Sequence, residues 1–191
     1  ILTIPDGTTK IKRNAFSMCS RLTEVHLPES LTDIGDAAFF DCNGLSQVHF
    51  PKSLTTMGNY TFKWCPKLTQ VHLPESLTDI GDRAFYLCTG LTEIHFPESL
   101  RTIKEYAFEG CTGLTEVHFP ESLTTIGESS FEGCTGLTEV HFPESLTTIK
   151  QNAFRRCSLS DIYYSSTKLG FIIPHILSRI RTVFDVSVTF H

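Results

Sequence analysis

LTEVHFPESLTTIGESSFEGCTG, residues 114–136, contains two apolar rhythms in a single short stretch. In its opening, Val117 and Phe119 alternate with Glu116 and His118, so a strand there turns two apolar side chains one way and two polar ones the other. Pro120 ends that strand, because it has no N–H to give and its φ is fixed. A second apolar stretch runs from Leu123 to Ile126, and Gly127 suits a turn after it. Phe131 and Cys134 then face back inward. A unit of this size cannot cover its own apolar side.

The same order recurs along the chain. Cys19, Cys42, Cys65, Cys88, Cys111, Cys134 and Cys157 are each 23 residues apart. Phe16, Phe39, Phe62, Phe85, Phe108, Phe131 and Phe154 keep that step, as do prolines from Pro5 to Pro143 and histidines from His26 to His141. Four residue types in phase imply a repeat, and stacking lets each unit bury the next. The expected fold is a repeat solenoid with a parallel sheet on one side and short strands and turns on the other. Like strands spaced about 4.8 Å apart give a sheet roughly 30 Å across. A partial first unit is followed by units starting at Leu22, Leu45, Leu68, Leu91, Leu114 and Leu137, and the repeats occupy residues 1–157.

Residues 158–191 depart from the pattern. Leu159 to Tyr164 begins like another strand, 171–180 reads as a short helix with Pro174 near its start, and 183–190 alternates like a strand. A C-terminal cap of strand, short helix and strand is expected there. At the other end Thr3 stands where later units have histidine. The chain starts at Ile1, not Met, so residues upstream are expected, and they or another copy of the chain would cover the first strand's edge.

Residues 68–88, LTQVHLPESLTDIGDRAFYLC, closely match the motif L-x-x-I-x-h-P-x-x-L-x-x-I-G-x-x-A-F-x-x-C, where h is apolar. The sequence thereby resembles the BspA-like, or treponemal-type, leucine-rich repeats over residues 1 to about 165. Lys12, Lys104 and Lys150 replace the turn glycine, and Thr61 and Ser130 replace the alanine. Asp161, Tyr163, Tyr164 and Thr167 resemble the family's closing D-h-Y-Y-x-x-T unit, without the tryptophan that often follows. The resemblance implies an α/β-type leucine-rich-repeat solenoid with its sheet on the concave face. It also implies a bacterial surface, secreted or periplasmic protein with an adhesin-like role toward a protein partner such as a host matrix or cell-surface protein.

Composition narrows the remaining possibilities. A formal charge of -5, with acids spread along the chain, argues against nucleic acid, which calls for a clustered basic face. No apolar run approaches the roughly 18 residues that span a bilayer. Seven cysteines are an odd number, and parallel side chains in a ladder do not bring sulfurs within bonding distance. Buried thiols are expected, not disulfides or a zinc centre; no cofactor is expected either.

Two features could carry function. His26, His49, His72, His95, His118 and His141 should project from the outward, concave face beside Glu24, Gln47, Gln70, Glu93, Glu116 and Glu139. Stacked imidazoles lower one another's pKa, whereas glutamates raise it, and the sequence leaves that balance open. Three readings stand: a solvated ladder packed edge to edge, a ligand-facing stripe that turns from acidic toward basic below about pH 6, and capture of a divalent metal. The second feature is an apolar patch away from the sheet, formed by Met18, Phe40, Tyr60, Trp64, Tyr86 and Leu87. Equivalent slots later hold Glu109, Glu132, Gly110, Gly133, Arg155 and Arg156. Such a patch marks a partner or homodimer contact, unless its side chains fold over the core edge.

Catalysis needs one unique, desolvated arrangement, but here every candidate recurs on a surface open to water. A non-catalytic protein-binding module is therefore expected. The rivals are a self-associating envelope assembly protein and a periplasmic protein that binds metal through the histidines.

Overall fold

The computed structural model describes residues 1–164 and 189–190. Each 23-residue coil contributes one longer and one shorter strand. The longer set is β1 (Leu2–Thr3), β3 (Glu24–His26), β5 (Gln47–His49), β7 (Gln70–His72), β9 (Glu93–His95), β11 (Glu116–His118), β13 (Glu139–Phe142) and β15 (Asp161–Tyr164). Between them come two-residue strands: β2 (Lys10–Ile11), β4 (Asp33–Ile34), β6 (Thr56–Met57), β8 (Asp79–Ile80), β10 (Thr102–Ile103), β12 (Thr125–Ile126) and β14 (Thr148–Ile149). All described strand pairing is parallel, and from β1 to β14 it is in phase with the repeat, as in Val117↔Val140 and Ile103↔Ile126. The solenoid with a parallel sheet is thus as expected. Among the described residues the side away from the longer strands is made of turns and two-residue strands and carries no helix.

Proline sets strand length. Pro120 gives no donor to the ladder, but its carbonyl accepts from Leu123 N–H at 3.0 Å, so the strand closes into a turn. A further backbone ladder runs up the back of the coil, where Phe39 N–H reaches the Thr61 carbonyl at 2.9 Å and Phe131 N–H the Ala153 carbonyl at 2.8 Å. Side chains reinforce it: Ser99 Oγ donates to the Leu77 carbonyl at 2.7 Å, and Asp36 Oδ1 accepts from Asn59 N–H at 2.8 Å. Repeated serine and Asx positions thereby satisfy turn backbone one coil away.

The core is a set of continuous columns. Phe16, Phe39, Phe62, Phe85, Phe108, Phe131 and Phe154 stack with centroids 5.2 to 5.5 Å apart. Each fully buried ring contributes about 1.5–3 kcal/mol, and each ring pair adds about 0.5–1.5 kcal/mol. Cys42, Cys65, Cys88, Cys111 and Cys134 are buried free thiols, as expected. Their sulfurs donate to phenylalanine carbonyls; Cys88 Sγ meets the Phe62 carbonyl at 3.1 Å. This explains a residue that is both small and weakly donating at that slot. Cys19 departs from the expectation and is exposed, since no described coil stacks on its outer side, and Cys157 is only partly buried.

Gly127 is not at a positive φ. A Cβ there would come within 2.6 Å of the Lys104 carbonyl oxygen, so close coil approach, not turn conformation, selects it. β13 pairs with β15 at Glu139↔Asp161, a step of 22 residues, and β15 pairs with β16 (Thr189–Phe190). The helix expected over 171–180 lies outside the described residues.

Candidate functional site

Two surfaces gather the unusual side chains. On the longer-strand sheet the histidines point out and the valines in: Val117 is buried between exposed Glu116 and His118. The expected row is present but not uniform. The described hydrogen-bonded strand groups are β1-β3-β5, β7-β9 and β11-β13-β15-β16, and the ring contacts follow them. His72 and His95 stack at 4.3 Å, and His118, His141 and Tyr163 form a face-to-face triple at 4.0 and 4.4 Å. His26 and His49 are looser, at 6.1 Å. Stacking is thus face to face rather than edge to edge, because in-register parallel pairing superimposes like side chains.

The neighbouring carboxylates contact the same rings. Glu24 reaches His26 at 2.8 Å, Glu93 reaches His95 at 3.2 Å, and Glu116 contacts His118. Glu139 reaches His141 at 2.6 Å, and Glu116 also lies 3.6 Å from it. Gln70 donates to Glu93 at 2.8 Å. Between β9 and β11 the ladder is interrupted, and a cleft of about 630 Å³ opens there. Glu93, Glu98, Glu116, His95, His118 and Phe96 are among its lining residues. Sequence reasoning could not find this cleft, since both flanking units obey the repeat.

The second surface lies at the back of the coil, where two backbone columns are left-handed. One runs through Tyr60, Arg83 and Tyr106, with φ of 59°, 53° and 57°. The other runs through Met18, Asp41, Trp64, Leu87, Gly110, Gly133 and Arg156, with φ between 56° and 72°. A left-handed backbone costs a non-glycine residue about 1–2 kcal/mol, and Gly110 and Gly133 show the unstrained solution. Trp64 nevertheless sits there at φ 63° and remains 41% exposed.

The structure brings Phe40, Tyr60, Trp64 and Tyr86 together around a residue the sequence reading missed. Lys63 Nζ lies 4.8 Å from the Trp64 and Tyr86 ring centroids, 5.5 Å from Tyr60 and 5.9 Å from Phe40. Phe40 and Trp64 also touch, at 5.4 Å. Burial, then the Arg83 charge, pushes the Lys63 pKa below its ordinary value. Arg83 lies between Tyr60 and Tyr106, 4.1 Å from the latter. Met18 is not part of this group: it is 68% exposed, with Asp41 between it and Trp64 in their column. Leu87 folds over Gly110. Aligning the units would have placed Lys63 between Phe40 and Tyr86, which was the available signal.

Against known proteins, the family described as BspA type Leucine rich repeat region matches in six copies, over residues 1–114 and 55–172. A solved leucine-rich repeat protein from Bacteroides ovatus is 31% identical, with a TM-score of 0.71, over 86% of this chain and 49% of that one. The chain thus spans about half of that protein's length. The leucine-rich repeat protein of T. pallidum is 26% identical, with a TM-score of 0.80, over 100% of this chain and 87% of its own. A leucine rich cell surface protein from Faecalibacterium prausnitzii, 23% identical, shares the fold with a TM-score of 0.57 over 85% of this chain and 62% of that one. No curated protein gives a significant match. No described helix is long and apolar enough to cross a membrane. The recurring L-x-x-V/I-H-h-P strand, the buried phenylalanine and cysteine columns and the family match lead to one conclusion: this chain belongs to the BspA-type leucine-rich-repeat family.

Proposed function

We propose that the chain is a non-catalytic recognition module of a bacterial surface or secreted protein, with a repeat body at 1–157 closed by a cap at 158–191. It docks a protein partner through the aromatic group around Lys63. The observation that carries this reading is Trp64: a large ring left 41% exposed and gathered with Phe40, Tyr60 and Tyr86 around Lys63. Tryptophan, tyrosine and arginine are also the side chains that dominate interface energetics, and here they cluster on one side of an otherwise regular solenoid. A host matrix or cell-surface protein is the partner class that fits an adhesin-like family member.

The test is retention on a panel of immobilised matrix proteins and on whole bacterial envelopes. Trp64→Ala with Tyr86→Ala should weaken retention at least tenfold, as expected when hot-spot rings are lost. His26→Ala with His49→Ala, on the sheet face, should not. Retention equal to the parent in the Trp64/Tyr86 variant ends the proposal. Sedimentation of both proteins separates partner docking from contact between copies.

A further inference from the structure

We infer that Glu116, His118 and His141 form a binding site for one divalent transition-metal ion, with Glu139 beside them. The site lies on the sheet face, away from the aromatic group, and does not depend on it.

Position in the fold creates the site. β11 and β13 pair in register, so His118 lies opposite His141 and Glu116 opposite Glu139. The two imidazoles stack at 4.0 Å. Glu116 contacts His118 and lies 3.6 Å from His141 Nε2, and Glu139 Oε1 lies 2.6 Å from the same nitrogen. One ligand atom each from Glu116, His118 and His141 falls within 4.8 Å of the others, a convergence that occurs nowhere else among the described residues. Zinc bonds of about 2.0–2.2 Å to nitrogen and oxygen require the stacked rings to splay, since each nitrogen lone pair lies in its own ring plane, and the solvent-facing position of His118 leaves room for that turn.

The other histidine pairs on hydrogen-bonded strands lack part of this set, and His95 and His118, which have Glu93 and Glu116 beside them, sit on β9 and β11, strands that are not paired with each other. His72 and His95 stack equally well, but the paired strands offer Gln70 beside Glu93, and the amide donates to that carboxylate at 2.8 Å. His26 and His49 are 6.1 Å apart and have Gln47 in place of a second glutamate. Substituting Gln for Glu removes an anionic ligand at both places.

Imidazole nitrogen with carboxylate oxygen selects zinc, nickel or copper over magnesium and calcium, which favour all-oxygen shells. Bound metal would tie two successive coils together through their side chains. It would therefore stabilise the folded chain by mass action.

The experiment is calorimetric titration of the untagged chain with zinc chloride, with magnesium chloride as the comparison and thermal melting as a second readout. The parent should bind one zinc, melt higher in its presence and ignore magnesium. His118→Gln with His141→Gln should lose at least tenfold in zinc affinity, while His26→Gln with His49→Gln should keep it. His26, His49 and His118 are exposed and His141 is partly buried between His118 and Tyr163, so unchanged melting without metal confirms that both variants fold. As an independent measure, histidine-ring NMR of the parent should show the His118 and His141 signals moving first. No zinc binding by the parent, equal affinity in the two variants, or first shifts elsewhere in the histidine row overturns the assignment.

Discussion

Ser130 shows how tightly a single slot is constrained. It occupies the position held by Ala38, Ala84, Ala107 and Ala153 in other coils, and its hydroxyl is buried without a hydrogen-bond partner. Thr61, the other exception, donates to the Gly58 carbonyl at 2.6 Å and so is satisfied. Ser130→Ala should therefore stabilise the chain by about 1 kcal/mol in urea unfolding, whereas Thr61→Ala should not. Loss of stability in the serine variant would contradict this account. Trp64 presents the opposite case. Trp64→Gly removes ring contacts with Phe40 and Lys63 but also relieves a left-handed backbone strain of about 1–2 kcal/mol. The two effects oppose each other, so stability should change by less than about 1 kcal/mol while partner retention falls. A large loss of stability would mean that the ring serves packing alone.

Among the elements, the stacked columns decide both strength and chemistry. Phe85 lies between Phe62 and Phe108 and is fully buried, so Phe85→Ala should cost about 3–5 kcal/mol. Half-buried Phe16, at the first coil, should cost less when truncated, and denaturant titration of the two variants compares them. The cysteine column adds a pH dependence. Burial raises the Cys88 thiol from its ordinary 9.0 to about 12 and Cys42 to about 11. Cys65, Cys111 and Cys134 are raised by burial as well. The folded state thus retains protons that the unfolded chain releases above about pH 9. Stability is fully present below that pH and falls as pH rises toward the folded-state values, Cys88 alone adding a slope of about 1.4 kcal/mol per unit. Unfolding curves from pH 8 to 11 should show the decline. Thiol reagents at pH 8 should label Cys19 quickly and the five buried cysteines only after denaturation.

These columns were legible in the sequence because each is one residue type at one step. Val117 inward and His118 outward follow from alternation alone, and the register of β11 on β13 follows from identical units. The functional detail was less legible, for physical reasons. Lys63 lies among four rings because the back of the coil superimposes Phe40, Lys63 and Tyr86, a relation visible only by reading down equivalent slots. The left-handed state of Trp64 was signalled only faintly, by glycine at 110 and 133. The break between β9 and β11 and its cleft left no trace in residue type. Convergence of Glu116 on both His118 and His141 depends on side-chain reach, which spacing does not specify.

For the whole molecule, each coil touches mainly its neighbours, so stability is close to a sum over coils and their interfaces. Deleting residues 91–113 joins Gly90 to Leu114 and reproduces the junction at Gly113. The shortened chain should fold, with a smaller denaturant m-value in proportion to the surface no longer buried. Failure to fold would show that the coils are not interchangeable. The shared register of successive coils, Val117 on Val140 just as Val48 lies on Val25, has a consequence during synthesis and refolding. A strand emerging from the unfolded chain meets several equally good seats, some of them on another molecule. A slip of one coil sacrifices only the ends, and exchange between chains sacrifices almost nothing. Refolding from denaturant at increasing protein concentration should therefore yield a growing share of interlocked, slowly separating dimers by size-exclusion chromatography; a monomer yield independent of concentration would show that the non-repeating side chains already enforce a single threading.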